Sequence, residues 1–274
     1  MRRLLLAVMM FGAASGAKAA DMPDFLHGSL LPNTPSPTVN WQGFYIGGQA
    51  GYGSSDENFN GATTNQIATM LVDTTIENEY HVSQWPLLGK DSQRSTSYGG
   101  FGGYNSQWDN VVIGLEFSYL HGNAGGSSTG SLGRMFTTSD NYSNDVFSSS
   151  TAAINITDFA SLRARAGYAV NNFLPYMFGG LALGKGDITQ QASVTASGVY
   201  VGTSVPALPP YGPVTTSVND TQHNHLLYGY SMGVGVDVNL IGGLFLRAEY
   251  EYLRFTSTVD VAVNTGRVGL GYKF

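Results

Sequence analysis

Charged side chains near the end of the chain recur between apolar and aromatic residues. Arg247, Glu249 and Glu251 are each separated by one such residue, and Arg267 and Lys273 lie in a second segment of the same kind. Strand side chains alternate between two faces, so this spacing places the charges on one face and the apolar residues on the other. Glu249 and Glu251 would share a face, as the paired carboxylates of an acid–base catalyst do. The neighbouring arginines favour ion pairing over catalysis.

Two histidines offer a second kind of chemistry. His223 and His225 are two positions apart, which in a loop or at a strand end puts both imidazoles on one side. Such a pair could bind a metal ion or hemin iron, with His81 and His121 as further ligands, but neutral histidines in a polar segment are usually surface residues. They are therefore only weak hemin or metal candidates, and we expect no cofactor.

Other catalytic signatures are missing from the sequence. It contains no nucleophile elbow, no phosphate-binding glycine loop before a helix and no zinc-ligand spacing. Its Gly-x-Gly runs lie inside strand-like segments, where glycine permits close backbone approach. We expect that the protein is not an enzyme.

The elements that would position these residues are strands. Alternation with a period of two predicts eight of them, at residues 41–53, 95–104, 111–121, 158–170, 174–186, 225–238, 245–255 and 265–274. The phases of strands 2 and 5 stay unassigned. The polar or proline-containing segments 54–94, 122–155 and 187–224 are predicted as long exposed loops, and the connections between them as short turns. In an up-and-down barrel all the long loops then lie at one end, as in outer-membrane barrels.

The composition favours a barrel that faces lipid. Charged residues make up only 12% of the chain, whereas soluble domains contain about 25%. Tyrosines near strand ends share the apolar face and fit the aromatic girdles of such barrels; they are Tyr52, Tyr119, Tyr168, Tyr228 and Tyr272. A soluble lipocalin-like barrel would instead carry its charges outside. We predict an all-β protein, an eight-stranded antiparallel up-and-down transmembrane β-barrel with long extracellular loops.

The face opposite the tyrosines carries charges of both signs. We predict that it forms a charge network in the lumen, made of Glu116, Arg163, Arg165, Asp237, Arg247, Glu249, Glu251, Arg267 and Lys273. Unpaired ions would be costly in a narrow barrel, and eight strands leave an interior that side chains fill, so we expect a salt-bridged plug. The alternative is a small conducting pore, since inward glycines leave room for water.

The first residues predict export. Arg2 and Arg3 precede an apolar run and an Ala17-Lys-Ala19 cleavage site, which describes a signal peptide at residues 1–19. Prolines then mark a periplasmic linker at 20–40, followed by the barrel at 41–274. Removing the signal leaves 10 basic and 19 acidic residues, a net charge of −9, which excludes nucleic acid as a probable partner. No cysteine is present, so disulfides cannot stabilise the chain.

Short motifs give the chain a resemblance to a known family. They are Trp41-x-Gly-Phe-Tyr-Ile-Gly47, Gly51-Tyr-Gly53, Gly103-Tyr-Asn105 and Val268-Gly-Leu-Gly-Tyr-Lys-Phe274. With the signal peptide and the proline-containing lead, these motifs resemble the outer membrane immunogenic proteins of the Omp25/Omp31 type from alphaproteobacteria. The motifs are spread over nearly the whole mature chain apart from the long segments.

This resemblance implies a location and partners. It implies a surface antigen in the bacterial outer membrane, surrounded by membrane lipid and lipopolysaccharide. It also implies insertion by the barrel-assembly machinery, which reads the last strand, with Tyr272 and Phe274 as the assembly signal. Some relatives are described as hemin-binding or pore-forming, but no motif here carries those activities. We expect a structural protein with surface-exposed loops; a small pore or a hemin- or ligand-binding surface protein is the alternative.

Overall fold

Eight strands form a closed barrel in chain order, each antiparallel to its two neighbours. The computed structural model describes residues 39–204, 206, 208–256 and 259–274, so the predicted signal peptide and all but the last two residues of the predicted linker lie outside the described residues. The strands are β1 (Gly43–Asn58), β2 (Lys90–Trp108), β3 (Val111–Thr137), β4 (Tyr142–Tyr168), β5 (Phe173–Tyr200), β6 (Tyr211–Ile241), β7 (Leu244–Phe255) and β8 (Asp260–Lys273). The predicted all-β, eight-stranded antiparallel up-and-down barrel is confirmed.

The barrel closes where β8 pairs with β1. The register runs from Tyr45 opposite Lys273 to Asn58 opposite Asp260, and Phe274 N donates to Phe44 O at 2.9 Å. Closure gives both strands a hydrogen-bonding partner on each side, which removes the exposed edges of an open sheet. The predicted start at Trp41 is early by two residues, because Trp41 turns into the barrel interior and packs on Phe245.

The outward face of the barrel is apolar and solvent-accessible in the part nearer the three tight turns, which we call the lower barrel. All five tyrosines predicted to face outward are exposed, as are aliphatic residues between them such as Ile46, Leu115 and Leu181. We call the barrel end with the three tight turns the turn end and the opposite one the extended end. Asp109, Asn171 and Gly242 supply the turns with positive φ values of 52°, 52° and 59°. An apolar band of this kind is what a lipid bilayer requires.

The segments predicted as loops at 122–155 and 187–224 are β structure, so that prediction is wrong. β3 and β4 continue to a turn at residues 138–141, and β5 and β6 continue to a connection at residues 201–210. These four strands contain 27, 27, 28 and 31 residues, whereas about ten cross a bilayer. The polar side chains conceal the strands, because beyond the apolar band neither face has to be apolar. We call the parts of β3 to β6 that lie beyond the band, within residues 122–155 and 187–224, the extension sheet.

The segment 54–94 is not a large exposed loop either. β1 and β2 take its two ends, and between them lie α1 (Thr64–Met70), α2 (Thr75–Tyr80) and a 3-10 turn at Val82–Gln84. Thr74 Oγ1 accepts from Glu77 N and caps α2, which ends at His81 with φ 44°. None of the described helices is long and apolar enough to cross a membrane.

Apolar contacts hold this helical segment against the inner face of the extension sheet. Ile67, Val82 and Trp85 are buried in one cluster with Val146 of β4 and Val194 of β5. Tyr80 stacks on Phe136 of β3 with ring centroids 3.9 Å apart. The segment therefore covers the extended end of the barrel from inside.

The barrel interior is layered along its axis. Aromatic and aliphatic residues fill the turn end: Trp41, Tyr45, Phe101, Val112, Ala169, Leu174, Tyr176, Phe178 and Phe245. Charged residues occupy the middle. A second apolar cluster lies above them and includes Leu120, Ile156, Phe159, Leu227 and Phe255. The charges are thus enclosed between two apolar layers.

Close strand packing at the β1–β8 seam gives a test of the register. A Cβ on Gly53 would fall onto the carbonyl oxygen of Asn264, whereas a Cβ on Gly48 meets nothing nearer than Gly99 O at 3.8 Å. We expect Gly53→Ala to lower the free energy of unfolding by about 1–3 kcal/mol through overpacking, and Gly48→Ala to have little effect. Urea unfolding of the detergent-solubilised barrel measures both, and equal effects of the two substitutions would contradict this register.

Candidate functional site

The middle layer brings together eight of the nine charges predicted for the lumen. They come from β3 (Glu116), β4 (Arg163, Arg165), β6 (Asp237), β7 (Arg247, Glu249, Glu251) and β8 (Arg267). Each residue is at most 5% exposed. Four carboxylates face four guanidinium groups, so the formal charge of this ion network is zero.

Glu116 lies at the centre of the ion network. Its Oε1 accepts from Arg163 Nε at 2.9 Å, and its Oε2 accepts from Arg247 Nη1 at 2.8 Å and Arg165 Nη1 at 3.3 Å. The hydroxyl of Tyr45 also donates to Oε2, at 2.7 Å. One carboxylate thereby links strands β1, β3, β4 and β7 across the lumen.

The other carboxylates extend the ion network in both directions. Asp237 accepts from Arg165 Nη2 at 2.7 Å and Arg247 Nε at 2.8 Å. Glu249 accepts from Arg163 Nη2 at 3.0 Å and Arg267 Nη2 at 2.7 Å.

Glu251 completes the ion network. It accepts from Arg163 Nη1 at 3.2 Å, and its Oε2 lies 2.7 Å from Arg267 Nη1, although that pair is poorly aligned for a hydrogen bond. Glu249 and Glu251 are thus both paired with arginines, so neither is free to act as a catalytic acid or base.

Aromatic rings from the turn-end layer support the arginines. The guanidinium carbon of Arg165 lies 3.8 Å from the ring centre of Tyr176, and that of Arg247 lies 3.8 Å from the ring centre of Phe101. Arg163 lies 4.2 Å from the ring centre of Phe178. These planar contacts use the faces of the guanidinium groups while their edges bind carboxylates, a double use that lysine cannot reproduce.

Lys273, the ninth predicted charge, lies outside the ion network. It is six residues beyond Arg267 on the same face of β8, about 20 Å along the strand. Its Nζ is 3.5 Å from the carbonyl oxygen of Gln42 at the rim of the turn end. Sharing a face with Arg267 therefore does not bring it to the same level of the barrel.

The histidine pair does not converge, so the expectation that both imidazoles lie on one side is wrong. An extra residue in β6 produces a bulge, with Asn224 at φ 55°, and reverses the alternation of side chains. His223 therefore faces outward beside Asp187, at 3.5 Å, whereas His225 lies opposite Gly186, which faces inward. His121 instead contacts Asp158 on the outer surface at 3.0 Å. Within the described residues, no group of three or more His, Cys, Asp or Glu is placed to hold a metal ion.

Sequence reasoning missed the aromatic partners of the ion network. The alternation in β1 placed Tyr45 inward, so it was available as a hydrogen-bond donor to a lumen carboxylate. Tyr176 could not be assigned because β5 has apolar residues on both faces: Leu174, Tyr176 and Phe178 point in, and Met177 points out. The hydroxyl of Tyr176 donates to Glu249 Oε1 at 2.6 Å.

Glu57 is a buried acid that the sequence placed in a loop. It lies on the inner side of β1 above the apolar band and is 1% exposed. Its Oε1 accepts from Ser55 Oγ, and no hydrogen bond reaches its Oε2 in the described part of the chain. Burial raises the pKa of the Glu57 carboxyl, the Ser55 hydroxyl lowers this pKa by a smaller amount, and repulsion from Asp91 and Asp56 raises it further. Glu57 therefore differs from the acids of the ion network, which are all paired with arginines.

A closed ring of eight antiparallel strands, an apolar outer band and a buried network of charges in the interior define a small transmembrane β-barrel. A family model described as "Outer membrane protein beta-barrel domain" matches residues 4–274. The chain belongs to this family of outer-membrane β-barrel proteins.

Relatives with known names support the same assignment. The chain is 28% identical to the 31 kDa outer-membrane immunogenic protein of Brucella melitensis, with 100% of both chains covered. It is 25% identical to the 25 kDa outer-membrane immunogenic protein of Brucella ovis, covering 89% of this chain and 83% of that one. The 22 kDa outer membrane protein of Rhizobium leguminosarum is 27% identical, over 86% of this chain and 74% of the relative. The resemblance deduced from the sequence motifs is confirmed.

Solved structures with a similar course of the chain are more distant. Ail, the attachment invasion locus protein of Yersinia pestis, is 16% identical with a TM-score of 0.33, covering 85% of this chain and 99% of that one. Neisserial surface protein A is 14% identical with a TM-score of 0.36, covering 84% and 97%.

The ion network predicts strong dependence on each arginine. Arg247→Met leaves Asp237 and Glu116 short of a buried cation, so we expect a loss of about 3–5 kcal/mol in the free energy of unfolding. Arg94→Met, at an exposed position of β2, should change it by about 0.5 kcal/mol or less. Urea unfolding followed by tryptophan fluorescence gives both values. Adding Asp237→Asn to Arg247→Met should recover part of the loss; comparable losses at Arg247 and Arg94 would refute the pairing.

Glu57 predicts a dependence of stability on pH. Because its pKa is raised in the folded state, that state binds the proton more tightly than the unfolded chain does. The free energy of unfolding should therefore fall as the pH rises from the ordinary glutamate range through the raised pKa. Glu57→Gln should remove this decline and stabilise the barrel at pH 8, as measured by urea unfolding at pH 5 and 8. The exposed control Asp145→Asn should keep the decline, and a Glu57→Gln barrel weaker at pH 8 would contradict the assignment.

Proposed function

We propose that the protein is a non-enzymatic structural component of the outer membrane, with a lumen plugged by its ion network and the extension sheet on the cell surface. The observation that carries this proposal is the burial of four carboxylates and four arginines between two apolar layers. Ions move through water, and a path along this axis would have to break several charge-assisted hydrogen bonds and cross both apolar layers. The family membership supports the location.

The orientation of the barrel follows from its two unequal ends. Outer-membrane barrels keep short turns in the periplasm and long connections outside. The three tight turns lie at one end and the extension sheet at the other. The extension sheet and the helical segment it encloses would then face the medium, with lipopolysaccharide around the outer part of the apolar band. The names of the Brucella relatives, which call them immunogenic, agree with such exposure.

The last strand supports a role in assembly. Tyr272 and Phe274 both point outward, with ring centroids 5.3 Å apart in an edge-to-face contact, and Phe274 is 75% exposed. Neither ring belongs to the interior layers, so their value to the folded barrel is small. This placement suits two residues that the barrel-assembly machinery reads before β8 pairs with β1.

Planar-bilayer recordings test the plug. We expect purified protein in a planar bilayer to give no conductance steps, while a sixteen-stranded porin treated identically gives them, because wide barrels leave an aqueous channel. Flotation of the same preparation with liposomes checks that the protein has inserted. Reproducible steps from inserted wild-type protein would overturn the plug and favour the small pore.

A further inference from the structure

The two edges of the extension sheet differ in whether other parts of the chain bond to them. At the β3 edge, Ser127 N donates to Asp91 Oδ2 at 3.1 Å, and Gly89 N donates to Ser128 Oγ at 3.0 Å. Further up, Tyr80 donates to the carbonyl oxygen of Thr137 at 2.9 Å. The helical segment and the start of β2 thus cover this edge.

In the part of the chain that the structure describes, no hydrogen bond covers the open side of the β6 edge, although α1 packs near Val218 on the inner face. β6 pairs with β5 from Gly198 opposite Tyr211 down to Phe173 opposite Val238. Its pairing with β7 begins only at Gly229 opposite Phe255, because β7 ends there. One side of β6 between residues 214 and 222 therefore presents unpaired backbone groups over nine residues, about 30 Å.

Between its two ends, this edge carries little of the usual protection against strand addition. Exposed edges are normally blocked by lysine, proline, bulges or inward charges. Here Pro213 and the bulge at Asn224 lie at the two ends, and the residues between them are Val-Thr-Thr-Ser-Val-Asn-Asp-Thr-Gln, with one charge and several β-branched side chains. The composition favours an extended conformation and leaves the edge open.

The register identifies which amides point to the open side. Tyr228, whose side chain faces outward, has its carbonyl on the β7 side, where it accepts from Thr256 N at 3.3 Å. Residues whose side chains share a face of one strand also share the edge to which N–H and C=O point. Beyond the bulge the outward residues are Thr215, Ser217, Asn219 and Thr221, opposite the outward residues of β5. Their N–H and C=O groups face the open edge.

We propose that this edge is a docking site for an extended, basic polypeptide segment of another protein, which adds to β6 as a further strand. Backbone hydrogen bonds to an exposed sheet edge are an established mode of peptide recognition. β6 contains no lysine or arginine, and Asp220 lies within the edge with its side chain on the inner face. Asp187 of the neighbouring strand β5 adds a second carboxylate near the lower end, where it accepts from Asn224 N. A segment carrying lysine or arginine complements these charges. This site is separate from the proposed plug and does not depend on it.

A second copy of the chain is a poor occupant of this edge. Two copies in one membrane are related by an axis along the membrane normal, and β6 then runs in the same direction in both. That axis sets each N–H of the edge against the same N–H of its mate and each C=O against the same C=O. The two edges therefore cannot form a hydrogen-bonded ladder.

The test removes single backbone donors from the edge. A fluorescent peptide, Lys-Thr-Val-Thr-Lys-Thr-Val-Thr-Lys, is titrated against the full barrel in detergent and followed by anisotropy. We expect saturable binding that weakens about tenfold or more in Ser217→Pro and Asn219→Pro, since proline has no N–H. Ser217→Ala and Asn219→Ala keep the amide and should bind as the wild type does. Proline at these positions leaves the bonds to β5 intact, which circular dichroism and heat-modifiable mobility verify.

Three results would overturn strand addition at this edge, and a fourth would overturn its preference for basic segments. The first is an absence of saturable binding, and the second is equal binding by the proline and alanine variants. The third is a proline-sensitive shift of the unliganded barrel from dimer to monomer in analytical ultracentrifugation, which would assign the edge to a second copy. The same peptide with glutamate in place of lysine should bind more weakly, and equal binding would refute the preference for basic segments.

Discussion

A charge withdrawn from water must find its counter-charge within the protein, and this requirement governs the interior of the barrel. Eight strands enclose too little space for each ion to keep a hydration shell. Four carboxylates and four arginines meet this requirement because single groups pair with several partners. Glu116, for example, contacts three arginines. Because these residues come from β3, β4, β6, β7 and β8, the pairing is satisfied only when the ring of strands is complete. The ion network therefore stabilises the closed barrel more than it stabilises partly assembled sheets.

The apolar layers on either side strengthen this coupling. They separate the ions from water, so that an unpaired charge costs more free energy and correct pairing contributes more to the stability of the folded barrel. The aromatic residues at the turn end add contacts to the flat faces of the guanidinium groups without competing for the carboxylates. The stability of the barrel and the plug that we propose thus depend on the same side chains.

The sequence predicted the lower barrel well because two different media act on its strands. Side chains that face lipid must be apolar, whereas those that face the interior can be charged. Arg247 and Glu249 therefore alternate clearly with Leu246 and Ala248 in the sequence. β5 resisted assignment because the apolar layers place Leu174 and Phe178 inside the barrel, which makes both of its faces apolar. Which acid meets which arginine depends on strand stagger across the lumen. No local pattern encodes that stagger.

The extension sheet escaped prediction for the opposite reason. Beyond the apolar band the outer face is polar, and the inner face mixes buried serine and asparagine with apolar residues, so alternation in the sequence is weak. The inner face is marked by apolar residues such as Val146 and Val194, whose partners are in the helical segment and not in a neighbouring strand pattern. The prediction that His223 and His225 lie on one side was wrong because one extra residue at Asn224 reverses an alternation that appears regular in the sequence.

The bulges of the extension sheet imply a counting rule for how this surface can change. Adding or removing two residues in a strand preserves which side chains point inward, so a hairpin can lengthen or shorten in pairs without disturbing the barrel below. A single added residue turns every later side chain over unless it is absorbed locally, as it is between His121 and Ala124 in β3 and next to Asn224 in β6. Related barrels that gain or lose residues within these strands, and not at the hairpin tips, should therefore do so by even numbers or carry one more such bulge for each odd step.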